Sequence, residues 1–160
     1  MTVVALFGLS VLMSFLAFGI VTRLYIWPRV DVAAREDAIA ALAAPHMFRF
    51  VGLGFLVPGV VSPNLSPDFA QPAAYGDLGA TVLAVLTVLA LSARSSWAIP
   101  VAWVFNLWGA VDLLNAFYQG LIGVGPGSLG AAYFIPTVMV PPWLITHALM
   151  FWLLLRPKRS

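Results

Sequence analysis

Cysteine is absent from this chain of 160 residues. Disulfide bonds, thiolate catalysis, cysteine-ligated zinc, iron–sulfur clusters and lipid attachment to cysteine are therefore excluded. Charged residues are also scarce, at 9% of the chain, whereas average globular proteins contain about 25%. Because 62% of the residues are hydrophobic, most of the surface must contact lipid or other apolar groups. The composition predicts an integral membrane protein.

Long apolar runs predict an all-α, polytopic bundle with five transmembrane helices. A bilayer core of ~30 Å needs about 20 apolar helical residues per crossing. Five such runs leave room only for short loops, so we predict a single membrane domain over residues 1–160. The predicted spans cover approximately residues 3–26, 45–61, 75–93, 97–119 and 133–155.

The positive charges predict the orientation of the spans. The loops 62–75 and 120–131 carry no Lys or Arg. Cytoplasmic loops retain positive charge, so we predict an outside amino terminus and a cytoplasmic carboxyl terminus, in a bacterial inner membrane. The charge excess is a topology signal and does not indicate nucleic acid as a partner. The basic residues lie near the opposite span ends: Arg23, Arg29, Arg35, Arg49, Arg94, Arg156, Lys158 and Arg159.

Residues 31–44 form a more polar segment between the first two spans. Asp31 can cap a helix here, and Val32, Ile39 and Leu42 give it an apolar side. The segment is predicted to be a short cytoplasmic amphipathic helix on the membrane surface. A helical extension of span 2 is the alternative, and the sequence does not separate the two.

A polar stripe on span 4 is the clearest indication of a site. Its members are Trp108, Asp112, Asn115 and Gln119, at i, i+4, i+7 and i+11, which places them on one helical face. Ionisable residues inside a span are costly unless paired or hydrated, so we expect the stripe to face the bundle interior or a wet cavity. It could bind a ligand or an ion. Alternatively, Asp112 could pair with Asp77 of span 3 through a shared proton or water.

Prolines interrupt spans 2 and 5. Pro141 and Pro142 cannot donate hydrogen bonds, which frees the carbonyls of Thr137 and Val138. Pro58 makes a similar break in span 2. Broken helices at membrane depth persist where the freed groups meet protein or line a cavity. A kink that only improves packing is the alternative.

Two histidines and an arginine complete the candidate site. His147 and Asn106 lie at similar depths and could approach the broken part of span 5. His46 lies one turn from Arg49, near the cytoplasmic interface. We expect the Arg49 side chain to extend to that interface, or otherwise to neutralise an anionic group of a ligand.

His46 and His147 are also candidate ligands of a cofactor. A haem held by His46 and His147 is disfavoured, because counting residues at ~1.5 Å each places them about ten ångströms apart along the membrane normal. No residue spacing typical of a metal site occurs, so we predict no metal. No lysine lies within a predicted span, which excludes a retinal Schiff base.

These observations support three hypotheses about function. The first is a pocket at mid-membrane between spans 2, 4 and 5 that binds or transports a small amphipathic molecule or an ion; transport would need a homo-oligomer. The second is an intramembrane isomerase or cyclase acting on a lipid-like substrate, in which Asp112 or His147 transfers protons. The depth count places those two residues in opposite leaflets, which speaks against it. The third is a non-catalytic subunit or scaffold.

Overall fold

A computed structural model of the chain describes residues 1–122 and 124–157. Within them the protein is all-helical, and five helices are long and apolar enough to cross a membrane, as predicted. Two of the basic residues that indicate orientation, Lys158 and Arg159, lie outside the described residues. The five helices are α1 (Val3–Val32), α2 (Arg35–Leu56), α3 (Pro67–Ser92), α4 (Ala98–Ile122) and α5 (Gly130–Leu155).

Helix α2 begins earlier than its predicted span. It starts at Arg35 instead of near residue 45. Ala38, Ile39 and Leu42 are buried within the bundle. From Arg35 onward the more polar segment is therefore a helical extension of span 2, and a separate surface helix is not confirmed.

Acidic residues in the first turn of α2 explain why its start was misplaced. Arg94, in the turn between α3 and α4, donates to Glu36 at 3.0 Å and to Asp37 at 2.7 Å. The hydrogen bond with Glu36 and the charge of Asp37 raise the pKa of the Arg94 guanidinium. Hydropathy counts these acidic residues as a break, but they lie in the solvated first turn of α2, where acidic side chains favour a helix N-terminus.

The second part of α2, Ala44–Leu56, is wound as a 3₁₀ helix. Such a helix has three residues per turn and a rise of ~2.0 Å per residue, so side chains three apart are aligned. The buried residues of this part follow that spacing: His46, Arg49, Gly52 and Phe55. They form one row that faces the other helices.

Helix α3 also begins before its predicted span. Ser66 caps it by accepting a hydrogen bond from the Asp68 backbone N–H at 3.3 Å, and Pro67 occupies the first turn, where its missing N–H is harmless. The predicted start was near residue 75. Asp77 therefore lies three turns inside the helix instead of near its outer end.

Helix α5 changes its winding along its length. A 3₁₀ turn at Gly130–Tyr133 and a π-helical turn at Ile135–Met139 precede the regular α-helix Val140–Leu155. Pro141 and Pro142 occupy the first turn of that regular part. The irregularity that the prolines predict in span 5 is therefore present as a π turn.

The interior has apolar packing at both ends and polar side chains between them. We call the end that carries residues 57–66 and 124–129 the loop end, and the opposite end the arginine end. Helix α1 packs chiefly against α5, and its Val3–Val21 segment has no buried residue. At the loop end the core includes Phe55, Ala74, Leu129 and Ala132, and at the arginine end Ile39, Leu91, Phe105 and Met150.

Candidate functional site

A fully buried arginine joins three helices in the middle of the bundle. The exposed fraction of Arg49 is 0%. Its Nε donates to Asp77 Oδ1 of α3 at 2.7 Å, and its Nη2 donates to Asp112 Oδ2 of α4 at 2.6 Å. Its Nη1 donates to the Gly109 carbonyl at 3.1 Å, and the guanidinium carbon lies 5.6 Å from the centre of the Trp143 ring. The expectation that Arg49 extends to the interface is therefore wrong.

Three glycines allow these groups to approach closely. A Cβ atom on Gly52 would collide with the Asp77 side chain, and one on Gly76 would collide with the Asp112 carboxylate. On Gly109 it would lie 2.6 Å from His147 Nε2 and 2.9 Å from Arg49 Nη1. The position of the ion cluster therefore requires glycine on all three helices that carry it.

The tautomer of His147 follows from its hydrogen bonds. The Asn106 amide nitrogen donates to the His147 backbone carbonyl at 3.3 Å, so the Asn106 Oδ1 atom is free to accept. His147 Nδ1 lies 2.6 Å from that oxygen and must donate to it. The ring proton is thus on Nδ1, and Nε2 carries a lone pair. This nitrogen is buried and has no hydrogen-bond partner in the described part of the chain.

The tautomer of His46 follows in the same way. The Thr146 hydroxyl lies 3.0 Å from the carbonyls of Pro142 and Trp143, and its single hydrogen is donated to them. Its oxygen therefore accepts from His46 Nε2 at 2.8 Å. His46 Nδ1 then carries the lone pair, and it too is buried without a partner among the described residues.

The two imidazole rings are in contact, with centroids 4.2 Å apart. The depth count, which separated His46 from His147 by about ten ångströms, is wrong because α2 begins at Arg35 and not near residue 45. Direct ring contact leaves no space for a porphyrin between the two rings. Within the described residues, no group of three or more His, Cys, Asp or Glu side chains is arranged to hold a metal ion.

The ion cluster contains two acidic side chains and one basic one. With both carboxylates ionised, Asp77 and Asp112 supply two negative charges and Arg49 one positive charge, while both histidines are neutral in the tautomers derived above. One negative charge is then uncompensated. Uncompensated charge is costly at membrane depth, so this cluster would gain stability from a cation.

A mostly apolar cavity reaches the carboxylates from the loop end. Its water-accessible volume is about 40 Å³, enough for a few water molecules or for the ammonium end of an amine. Among the described residues that line it, the charged side chains are Asp77 and Asp112. The Asp112 side chain is 16% exposed and that of Asp77 7%. Aromatic side chains in the lining are Phe7, Phe55, Phe69 and Phe117.

The structure brings together six of the nine residues that the sequence singled out. They are His46, Arg49, Asp77, Asn106, Asp112 and His147, and their polar groups form the buried cluster. The cavity beside them differs from the predicted pocket between spans 2, 4 and 5, because residues of α1 and α3 also line it.

The other three residues do not face the cluster. Asn115 and Gln119 are exposed, and Trp108 is 52% exposed, with its ring N–H donating to the Gly76 carbonyl at 3.4 Å. The prediction that the whole stripe faces inward is wrong. At ~100° per residue, the buried face of α4 centres near Gly109, so Asp112 lies at its edge and the rest of the stripe lies beyond it.

The sequence-based interpretation missed several residues of the site. Gly52, Gly76 and Gly109 were not recognised, and neither was Thr146. The spacing of three between His46, Arg49, Gly52 and Phe55 was a usable signal for a buried row on a 3₁₀ helix. Gly76 and Gly109 carried no such signal, because their role depends on which helix lies opposite.

Fold and site together define a five-helix membrane-type bundle whose interior holds an ion cluster beside an apolar cavity. A family model described as a domain of unknown function, DUF8737, matches residues 6–155, and the chain belongs to that family. No curated protein and no solved structure matches the chain.

Proposed function

We propose that the protein binds a small amphipathic molecule with a positively charged amine in the cavity at Asp112. The observation that carries this proposal is the pair of carboxylates that share one guanidinium at the polar end of an aromatic-lined cavity. An amine would compensate the charge of Asp112, and the phenylalanine rings would contact its carbon chain and favour the cation.

Binding fits this interior better than transport by a single chain. On the far side of the histidines, buried apolar side chains fill the bundle, including Ile39, Phe105 and Met150. The cavity approaches the cluster from the loop end, and these residues separate it from the arginine end. Transport would require a homo-oligomer or a large rearrangement.

Butylammonium is a suitable probe, and butanol of similar size is its neutral control. We expect butylammonium to raise the unfolding temperature of the purified protein, with a dissociation constant on the order of 1 mM. The stabilisation follows from preferential binding to the folded state. Measurements at constant ionic strength should show no such effect for butanol.

The variant Asp112→Asn should lose the response to butylammonium while remaining folded. Asp68→Asn is the matched control, because it removes an exposed carboxylate at the loop end and should respond like the wild type. Equal stabilisation of wild type and Asp112→Asn by butylammonium would show that the amine does not bind at Asp112. Equal stabilisation by butanol would show that charge is irrelevant.

A second candidate is an intramembrane enzyme that transfers protons on a lipid-like substrate. It is favoured by one observation: Asp112 and His147 both lie close to Arg49, on either side of Gly109, and are not separated by a leaflet. Incubation of the protein with membrane lipids in D₂O tests it. Deuterium would enter a lipid with wild type but not with Asp112→Asn or His147→Gln. A lack of incorporation with wild type would argue against this candidate.

We also propose that the loop end faces outward and the arginine end faces the cytoplasm of a bacterial cell. Because the chain has no cysteine, single cysteines can report the orientation. Asn64→Cys at the loop end and Ser96→Cys at the arginine end both replace exposed residues. A membrane-impermeant maleimide should label the first in intact cells and the second only after lysis. The reverse pattern would overturn the orientation.

A further inference from the structure

The free lone pair of His147 lies beside an arginine that has another hydrogen to donate. Nη1 of Arg49 donates one hydrogen to the Gly109 carbonyl, and an Nη group carries two. Nη1 and His147 Nε2 lie within 2.9 Å and 2.6 Å of the same point, which is where a Cβ on Gly109 would stand. Because Gly109 has no side chain, that point is unobstructed between donor and acceptor.

A buried acceptor without a partner is costly. Leaving such a group unsatisfied forfeits its hydration without any bond in return, and His147 is 1% exposed. Its other ring nitrogen is fixed by Asn106 at 2.6 Å, which keeps the lone pair on Nε2 and its ring in place. An acceptor that is held in this way beside a guanidinium is suited to accept a hydrogen bond from it in a second arrangement.

We propose that His147 Nε2 is the second acceptor of Arg49, used when the charge of Asp112 is compensated by another cation. In the arrangement described above, Arg49 Nη2 donates to Asp112 Oδ2 at 2.6 Å and also lies 2.7 Å from Asp77 Oδ1. A cation at Asp112 weakens the first of these contacts, and the guanidinium then moves toward the imidazole while its Nε remains with Asp77. His147 is thus a positioning residue for Arg49.

The surrounding charges permit this exchange. The groups that face Arg49 are Asp77 from α3, Asp112 from α4 and His147 from α5, with His46 on α2 itself. Asp77 stays paired with Arg49 in both arrangements, so the guanidinium remains compensated. A neutral imidazole accepts the hydrogen bond, and no proton has to be transferred.

The ligand-driven form of the exchange rests on the proposed function, but the exchange itself can be tested without a ligand. Asp112→Asn removes one of the two charges that lie against Nη2 and leaves that of Asp77. Nitrogen-15 NMR of histidine-labelled protein in detergent reports the state of each ring nitrogen, and His46→Gln assigns the signals. In Asp112→Asn, the His147 Nε2 resonance should move to lower frequency as the nitrogen gains a donor, whereas His46 Nδ1 should not move.

The controls separate the two proposals. Asp112→Glu keeps the charge and should leave the His147 resonance near its wild-type position. An unchanged Nε2 resonance in folded Asp112→Asn would overturn the exchange, and so would a doubly protonated His147 in wild type. If Asp112→Asn does not fold, Asp112→Ala replaces it. Butylammonium that binds wild type without moving Nε2 would overturn the coupling to ligand, while failure to bind would contradict only the proposed function.

Discussion

Replacement of Arg49 by methionine should cause the largest loss of stability of any single substitution considered for this protein. Methionine keeps much of the volume but removes the cation that Asp77 and Asp112 share. Two carboxylates would then face each other in a buried site. Removing one partner of a buried ion pair costs about 3–5 kcal/mol. We expect Arg49→Met to lose its folded, monodisperse state in detergent, as measured by size-exclusion chromatography and thermal unfolding.

Two further variants make this prediction specific to the ion cluster. Arg94→Met removes an exposed arginine that also bonds two acidic residues, and its effect should be small because exposed pairs are screened by water. Combining Arg49→Met with Asp77→Asn and Asp112→Asn removes the charges together and should restore most of the stability. Arg49→Met with a stability close to that of Arg94→Met would show that the buried network does not hold the bundle together.

The number of helices and their class could be predicted because they depend on composition. A crossing needs a fixed length of apolar residues, and each of the five helices satisfies it. The starts of α2 and α3 were misplaced because they depend on pairing and capping. Arg94 compensates the acidic residues of α2 from a distant turn, and Ser66 caps α3 within a proline-rich loop.

The sequence predicted residues that form the candidate site but not how they are arranged. Buried ionisable residues are few in such a chain, so the free-energy cost of placing a charge inside a span is enough to identify them. Their depths were wrong because the count assumed a uniform rise from misplaced helix starts. His46 and His147 meet because α2 begins at Arg35, which places His46 about three turns inside the helix. The prediction that the stripe on α4 faces inward was wrong for another reason. Helical periodicity shows which residues share a face but not where that face points.

Replacement of Gly52 by alanine should disturb the same network without changing any charge. The added Cβ would lie 2.6 Å from the Asp77 Cβ and 2.7 Å from its Cγ, and the first of these atoms is fixed to the α3 backbone. Helices α2 and α3 would have to separate, which would lengthen the hydrogen bonds between the Arg49 guanidinium and the Asp77 carboxylate. Overpacking of this kind costs about 1–3 kcal/mol. Thermal unfolding in detergent should show the loss, and butylammonium should stabilise the variant less than wild type.

Gly19→Ala is the matched control for this substitution. Gly19 also lies inside a helix, but a Cβ there meets no atom within 4 Å, and alanine favours helix more than glycine does. Its stability should be unchanged or slightly higher. If Gly52→Ala behaved like Gly19→Ala, α2 and α3 would not be in the close contact that places Asp77 against Arg49. The charge excess on which amine binding depends would then lose its geometric basis, because that excess requires both carboxylates to share one guanidinium.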